Sequence, residues 1–298
     1  MYRKIFPYLQ LMRPANMVTA MADVMAGFAI GGCVGTLQFF PTSIHVQHPQ
    51  QLLWLLLSTI CLYGGGVVFN DVFDVTLDRK ERPERPLPSG RASLKVAIIL
   101  GCLLFCIALF AAFYVSISAG IVAIAIAALA VYYDKFGKHT SWGPINMGAC
   151  RGLNLILGMS CNINLWYVGF IPLIYISAIT LISKGEVHGG SKRNYIVAFV
   201  LYSIVILGIA ILSYLQSTYF YWSLPLLILF GYKIFSTLYI AAQTNEPRNI
   251  MKAVKTGVIS LIIMDASLAA GFAGLGWGLV VLSLLPLSIY LARKFSVT

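Results

Sequence analysis

Ten apolar blocks follow one another along this chain with hardly a charge inside them, near 15–36, 51–70, 95–114, 117–133, 144–160, 166–183, 195–215, 219–241, 255–272 and 276–292. Each runs roughly 17–23 residues, the length a helix needs to cross a hydrocarbon layer. Charged residues make up 10% of the 298 and hydrophobic ones 59%, whereas a water-soluble domain carries about 25% charged residues. So few charges cannot clothe a water-facing surface. Soluble, disordered, collagen-like and nucleic-acid-binding classes are excluded, because the net charge of +11 sits between apolar blocks and not along one face. The expectation is an all-α, polytopic membrane bundle, one domain over 1–298, held in a lipid bilayer.

The basic residues set its orientation, since Lys and Arg collect on the cytoplasmic side. With ten spans and both termini inside, all 21 Lys and Arg fall on inner segments. The connections 37–50, 115–116, 161–165, 216–218 and 273–275 then carry none. A turn around Gly274 and Gly276 separates the last two blocks, and merging them gives nine spans but leaves Arg293 and Lys294 outside. Ten is the better count. Residues 1–14, basic and closed by Pro14, read as an interfacial amphipathic helix, with no cleavable signal peptide. The six Cys form no CxxC or Cys/His pattern, so neither a zinc site nor a disulfide framework is expected. Gly27, Gly31 and Gly35 form a small-residue ladder that points to close helix contact.

Of ten acidic residues, five lie between 71 and 84. On a helix Asp71, Asp74 and Asp78 are spaced i, i+3 and i+7 and share a face, with Asn70 one turn before Asp74. Such carboxylates repel unless a cation neutralises them, and oxygen ligands suit a hard ion such as Mg²⁺, which completes its shell with water and phosphate. A solvated helix end is the competing reading, but aligned carboxylates at a membrane mouth are costly without a role. Pro83, Pro86 and Pro88 then forbid a regular helix, so the inner segment 71–94 is an Asp-rich stretch followed by an Arg-Pro loop able to fold back over an anion. Ser93 reads as the N-cap of the next span.

These residues resemble a known family. Asn70-Asp-x-x-Asp-x-x-x-Asp78 followed by Arg85-Pro-Leu-Pro-Ser-Gly-Arg91 is similar to the first signature of the UbiA superfamily of intramembrane prenyltransferases. Arg13-Pro-Ala-Asn16 resembles that family's approach to its first span, and Tyr133-x-x-x-x-Lys138 with Asn146 its fourth-to-fifth connection. Arg82-Pro-Glu-Arg-Pro, Asn146-Met-Gly-x-x-Arg151-Gly and Gly185-Glu-Val-His-Gly-Gly look closest to the EboC branch. The resemblance implies a UbiA-like helical bundle around a central cavity. It implies Mg²⁺-dependent transfer of an isoprenyl group from its diphosphate to an aromatic or other lipophilic acceptor. Asp71, Asp74 and Asp78 would hold Mg²⁺ on the diphosphate, supported by Asn70, while Arg85, Arg91 and Lys138 neutralise charge. Asn16, Tyr133, Asn146 and Arg151 complete the substrate-binding set.

The departure lies in the loop 184–194, where the family carries a second Asp-rich run. Here Ser183-Lys-Gly-Glu-Val-His-Gly-Gly-Ser-Lys-Arg193 offers one carboxylate, Glu186, and one imidazole, His188. Lys184 or Lys192 is expected to supply charge that a second metal supplies elsewhere, and a solvated turn is the alternative. A divergent, non-catalytic relative that binds or transports an isoprenoid or a related lipid-soluble metabolite is therefore the alternative function, and a structural subunit a third. Two further residues stand out. Asp23 and Arg151 lie deep in the first and fifth apolar blocks, where mutual pairing or a cavity is the usual resolution; Asp265 joins them in the ninth.

Overall fold

A computed structural model describes residues 2–36, 44–140, 142–186, 189–217 and 219–295. It is nearly all helix: α1 (Tyr2–Met12), α2 (Pro14–Ile30), α3 (Pro49–Phe73), α4 (Val75–Glu81), α5 (Leu94–Val115), α6 (Ile117–Lys135), α7 (Gly143–Gly158), α8 (Phe170–Ser183), α9 (Lys192–Gln216), α10 (Phe220–Thr244), α11 (Pro247–Leu282) and α12 (Leu284–Lys294). Short 3₁₀ turns at Gly137–His139 and Trp166–Gly169 precede α7 and α8. The starts are legible. Pro opens α2, α3 and α11, where a missing N–H costs nothing. Ser116 and Ser191 accept from the N–H groups of Ala119 and Asn194 to cap α6 and α9. Ser93 does stand before α5, but its side chain caps nothing; its own N–H donates to the Tyr8 hydroxyl at 3.0 Å.

Seven helices among the described residues are long and apolar enough to cross a membrane, the last being the stretch Pro247–Lys294. That stretch breaks at Gly274, whose φ of 82° is non-helical, at the turn expected from the sequence. Pro14–Ile30 is apolar but shorter. The helices form a ring in which neighbours in the chain pack on one another, and α11 closes it against α2 while also touching α8. Residues 260–271 of α11 are buried on every side, as expected for a helix apolar all round. Large side chains such as Ile117, Ile121, Leu207, Tyr214 and Ile228 point outward and exposed, the face a bilayer would cover.

Two expectations are corrected. The first apolar block does not stay helical to 36. It ends at Ile30, and β1 (Val34–Thr36) pairs antiparallel with β2 (Ile44–Val46), Val34 opposite Val46. Gly32, at a φ of +77°, turns the chain there. A disulfide also joins Cys33 to Cys161, with Cα atoms 6.1 Å apart and 128 residues between them. It links the chain just beyond α2 to the chain just beyond α7. Those helices pack backbone to backbone: a Cβ on Gly27 would meet the Leu155 carbonyl, and one on Gly158 the Val24 carbonyl. The helix contact expected of the glycine ladder is thus present at Gly27, and it is what brings the two cysteines together. Gly35 belongs to the hairpin.

Candidate active site

One wall of each of five helices faces a cavity of about 350 Å³. Thr59, Leu62, Tyr63, Gly66, Val67 and Asn70 descend α3 at helical spacing, and Met147, Cys150, Arg151 and Asn154 do the same on α7. Ile126, Ala130, Tyr133 and Asp134 come from α6, Ile176, Ile179 and Thr180 from α8, and Val258 and Leu261 from α11; Arg13 and Asn16 close one end. The middle is apolar and both ends are polar.

At the mouth, the Asp-rich segment is clamped by cations from three directions. α3 runs to Phe73, Asp74 is the junction, and the Asp78 N–H donates to the Asp74 carbonyl at 2.8 Å, so the helical path continues almost unbroken into α4. Asp71 and Asp78 are buried and share Arg85, whose Nη1 lies 3.5 Å from Asp71 Oδ1 and 2.8 Å from Asp78 Oδ2. Arg13 Nη2 holds Asp71 Oδ1 at 2.8 Å. Asp74 turns the other way and pairs with Lys138. The Arg85 Nε is buried without a partner among the described residues, a donor in reserve for an anion.

The fold-back of the Arg-Pro loop follows from one anchor. Leu87 sinks into a small apolar cluster with Leu11 of α1, Val68 of α3 and Ala97 of α5, packed by Tyr8 and Met12. The Ala92 N–H donates to the Pro86 carbonyl at 2.9 Å, and Gly90 at a φ of +73° makes the turn. Arg85 is thereby aimed at the carboxylates. Arg91, expected beside it, is not: it is exposed and bonds Ser89, Gln10 and the Glu84 carbonyl, tying the loop to α1. Arg13, which pairs with Asp71, was legible only as part of an Arg-Pro motif. It sits at a φ of 47° before Pro14, a left-handed conformation that costs on the order of 1 kcal/mol or more and persists where surroundings hold it.

The remaining expected residues divide. Asn16, Asn70, Tyr133 and Arg151 line the cavity. Asn146 is buried one residue short of the lining, its Oδ1 3.9 Å from Cys150 Sγ. Lys184 is exposed, with no ion pair among the described residues, and His188 lies outside them. Glu186 is half-buried in a loop pinned by Asn245, which accepts from the Gly190 N–H and the Tyr195 hydroxyl, both at 2.8 Å. Burial pushes its carboxyl above the usual glutamate range, and Arg82 and Lys255 pull it partly back. The loop thus faces the Arg-Pro loop and α11, off the cavity lining.

At the far end Asp23 and Arg151 are paired, Nη1 to Oδ2 at 2.9 Å, and Arg151 also lines the cavity, so both resolutions left open by the sequence hold for it. Asn154 donates to Asp23 at 2.9 Å and accepts from Thr59 at 2.6 Å; Arg151 also bonds Thr19 and lies 5.5 Å from the Tyr63 ring. Asp265 of α11 lies against Asp23. Thr59 and Asn154 were not foreseen, since neither is out of place in an apolar helix.

The mouth is all oxygen donors and cations. No three Asp, Glu, His or Cys side chains among the described residues converge as a ready-made metal cage. That donor set fits Mg²⁺ held by a few carboxylates and completed by substrate phosphate.

A ring of membrane-length helices around a cavity, closed at one end by aspartates and arginines, defines a polytopic helical bundle with a charged mouth. The chain belongs to the UbiA prenyltransferase family, whose model matches residues 28–255. It is 24% identical over 286 residues to the digeranylgeranylglyceryl phosphate synthase of Methanosphaera stadtmanae, covering 89% of this chain and 98% of that one. A solved structure of a digeranylgeranylglyceryl phosphate synthase superposes with a TM-score of 0.67 at 21% identity, over 91% of this chain and 99% of its own. A UbiA homologue from Archaeoglobus fulgidus, solved with DMAPP and Mg²⁺, superposes at 0.61 with 16% identity, over 90% and 98%.

Proposed function

We propose that this protein transfers an isoprenyl group from its diphosphate to the hydroxyl of a lipophilic acceptor of the glycerophosphate class. The observation that carries the reading is the mouth: three aspartates, each already matched to Arg13, Arg85 or Lys138, at the end of an apolar cavity. The glycerophosphate class, in preference to an aromatic acceptor, is supported by the named relatives. Asp71, Asp74 and Asp78 would hold Mg²⁺, which when bound offsets charge on the departing diphosphate. Arg13, Arg85 and Lys138 hold the same anion as it leaves, stabilising charge that develops in the transition state. Leu62, Val67, Ile126, Ile176 and Ile179 surround the prenyl carbons and exclude water from the cation left at C1.

A second reading has its own observation. Glu186, the one carboxylate of the second signature, faces Arg82 and Lys255 and not the cavity. That favours a divergent relative that binds or moves an isoprenoid. One experiment separates them: purified protein in lipid, with Mg²⁺, a panel of prenyl diphosphates, and glycerophosphate-ether or aromatic acceptors. Diphosphate release with a prenylated glycerophosphate product supports transfer. Binding without turnover across the panel supports the second reading.

A further inference from the structure

A prenyl transfer to a hydroxyl leaves a proton to be removed. The acceptor oxygen arrives as O–H and, once bonded to carbon, must lose that hydrogen in a cavity from which water is excluded. The three aspartates of the mouth are occupied by cations and by the metal role proposed for them. Asp23 and Asp265 lie behind the cavity wall, and Glu186 is outside it. Among the described lining residues one carboxylic acid remains, Asp134 on α6.

Its surroundings suit the task. Asp134 is buried, 5% exposed. Asn70 Nδ2 donates to its Oδ1 at 2.9 Å, which fixes the carboxyl plane. Its Oδ2 is buried with no partner among the described residues. A buried carboxylate oxygen left without a donor is costly unless a ligand supplies one. The hydrogen bond also comes from the residue beside Asp71, so the acid is held at the reacting end of the cavity, near where C1 of the donor would lie. Tyr133 and Lys138, the two family-like residues of this connection, flank it in sequence.

We propose that Asp134 is the general base that takes the acceptor's hydroxyl proton. This rests on the transfer reading above and deepens it. The C1–O bond to diphosphate breaks and its electron pair leaves with the diphosphate. A lone pair of the acceptor oxygen forms the new C1–O bond. The hydroxyl proton passes to Asp134 Oδ2, and the neutral acid returns it to water when products leave through the mouth. No oxidant or further reactant is needed. An acid–base group so placed is worth typically 10²–10⁴-fold in rate.

The test compares wild type with Asp134→Asn, whose amide oxygen still accepts from Asn70. Three quantities are read: calorimetric affinity for a prenyl diphosphate in Mg²⁺, thermal midpoint, and single-turnover transfer to a glycerophosphate-ether acceptor. The expected result is affinity within about threefold and transfer lowered by roughly 100-fold or more. An acceptor analogue with a more acidic hydroxyl should lose less. If Asp134→Asn does not fold, Asp134→Glu and Asp134→Ser replace it. A carboxylate retained in the cavity should then transfer at least roughly tenfold faster than the serine. Equal rates in wild type and Asp134→Asn, equal rates in the glutamate and serine variants, or a defect confined to diphosphate affinity overturn the proposal while leaving the transferase reading intact. A wild type that transfers nothing overturns both.

Discussion

Removing Arg85 should cost stability in a way that its partners allow us to work out. Its guanidinium is shared: Asp71 keeps Arg13 at 2.8 Å, but Asp78 loses its only ion-pair partner among the described residues. Both side chains are nearly fully buried, 4% and 5% exposed. Arg85→Ala therefore leaves one buried carboxylate uncompensated, a loss of about 3 kcal/mol, the low end for breaking a buried pair by removing one partner. Unfolding entropy of ~2.1 cal/mol/K per residue over 298 residues converts that to a midpoint lower by about 5 °C. Mg²⁺ added alone should recover part of the deficit in the variant and do little to wild type, because only the variant offers it an unmatched carboxylate. Arg85→Lys should fall between, since one ammonium cannot fork between two carboxylates. The assay is thermal unfolding of purified protein in one detergent, with and without Mg²⁺. Identical midpoints and identical responses to Mg²⁺ would refute the argument that Asp78 depends on Arg85.

Asp74→Asn should weaken prenyl diphosphate binding in Mg²⁺ by on the order of tenfold or more, the scale for a lost metal-site interaction; an unchanged calorimetric titration counts against Asp74 as a ligand. Glu186 has its folded value raised, so its carboxyl is tolerated when neutral and its stability contribution is lost as pH rises through that value. Glu186→Gln should thus be more stable than wild type at pH values above the raised folded value and equal to it below ~4.3, the ordinary glutamate value; a difference independent of pH would contradict the burial argument. A reporter fused after Thr298 should read as cytoplasmic, and an external signal would show that α12 does not return the chain to the inner side.

What the sequence made legible follows what spacing encodes. The length of the apolar runs found most of the elements; period 3.6 reports which residues of one helix share a face, and it grouped Asp71 with Asp78, but Asp74, at the junction of two helices, turns to Lys138 instead. The period does not report which faces of different helices meet. Asp23 and Arg151 stood out because an ion deep in an apolar run is costly alone, but the sequence left pairing and a cavity position both open, and only the packed helices make them a pair. Asp134 carries no such signal, since in Tyr-Tyr-Asp-Lys it looks like a helix end in water. The Cys33–Cys161 bond and the Arg13–Asp71 pair span 128 and 58 residues, and only the packed ring brings them together. Arg91 sits apart from the carboxylates for the opposite reason: the family-like motif placed it by residue type, while the Leu87 anchor turns it toward α1.

The seam between α2 and α7 limits how this cavity can be remodelled. Along it, backbone meets backbone at Gly27 and Gly158, with the disulfide just beyond. There is no side chain at those contacts to trim or enlarge, so the separation of the two helices is fixed there. On the transfer reading proposed above, accommodation of longer or bulkier prenyl groups falls to apolar lining side chains on the other helices, among them Ile126 on α6, Ile176 and Ile179 on α8, and Val258 on α11. A library aimed at altered specificity is best confined to those four positions, and the seam is where random mutagenesis should return mostly unfolded protein.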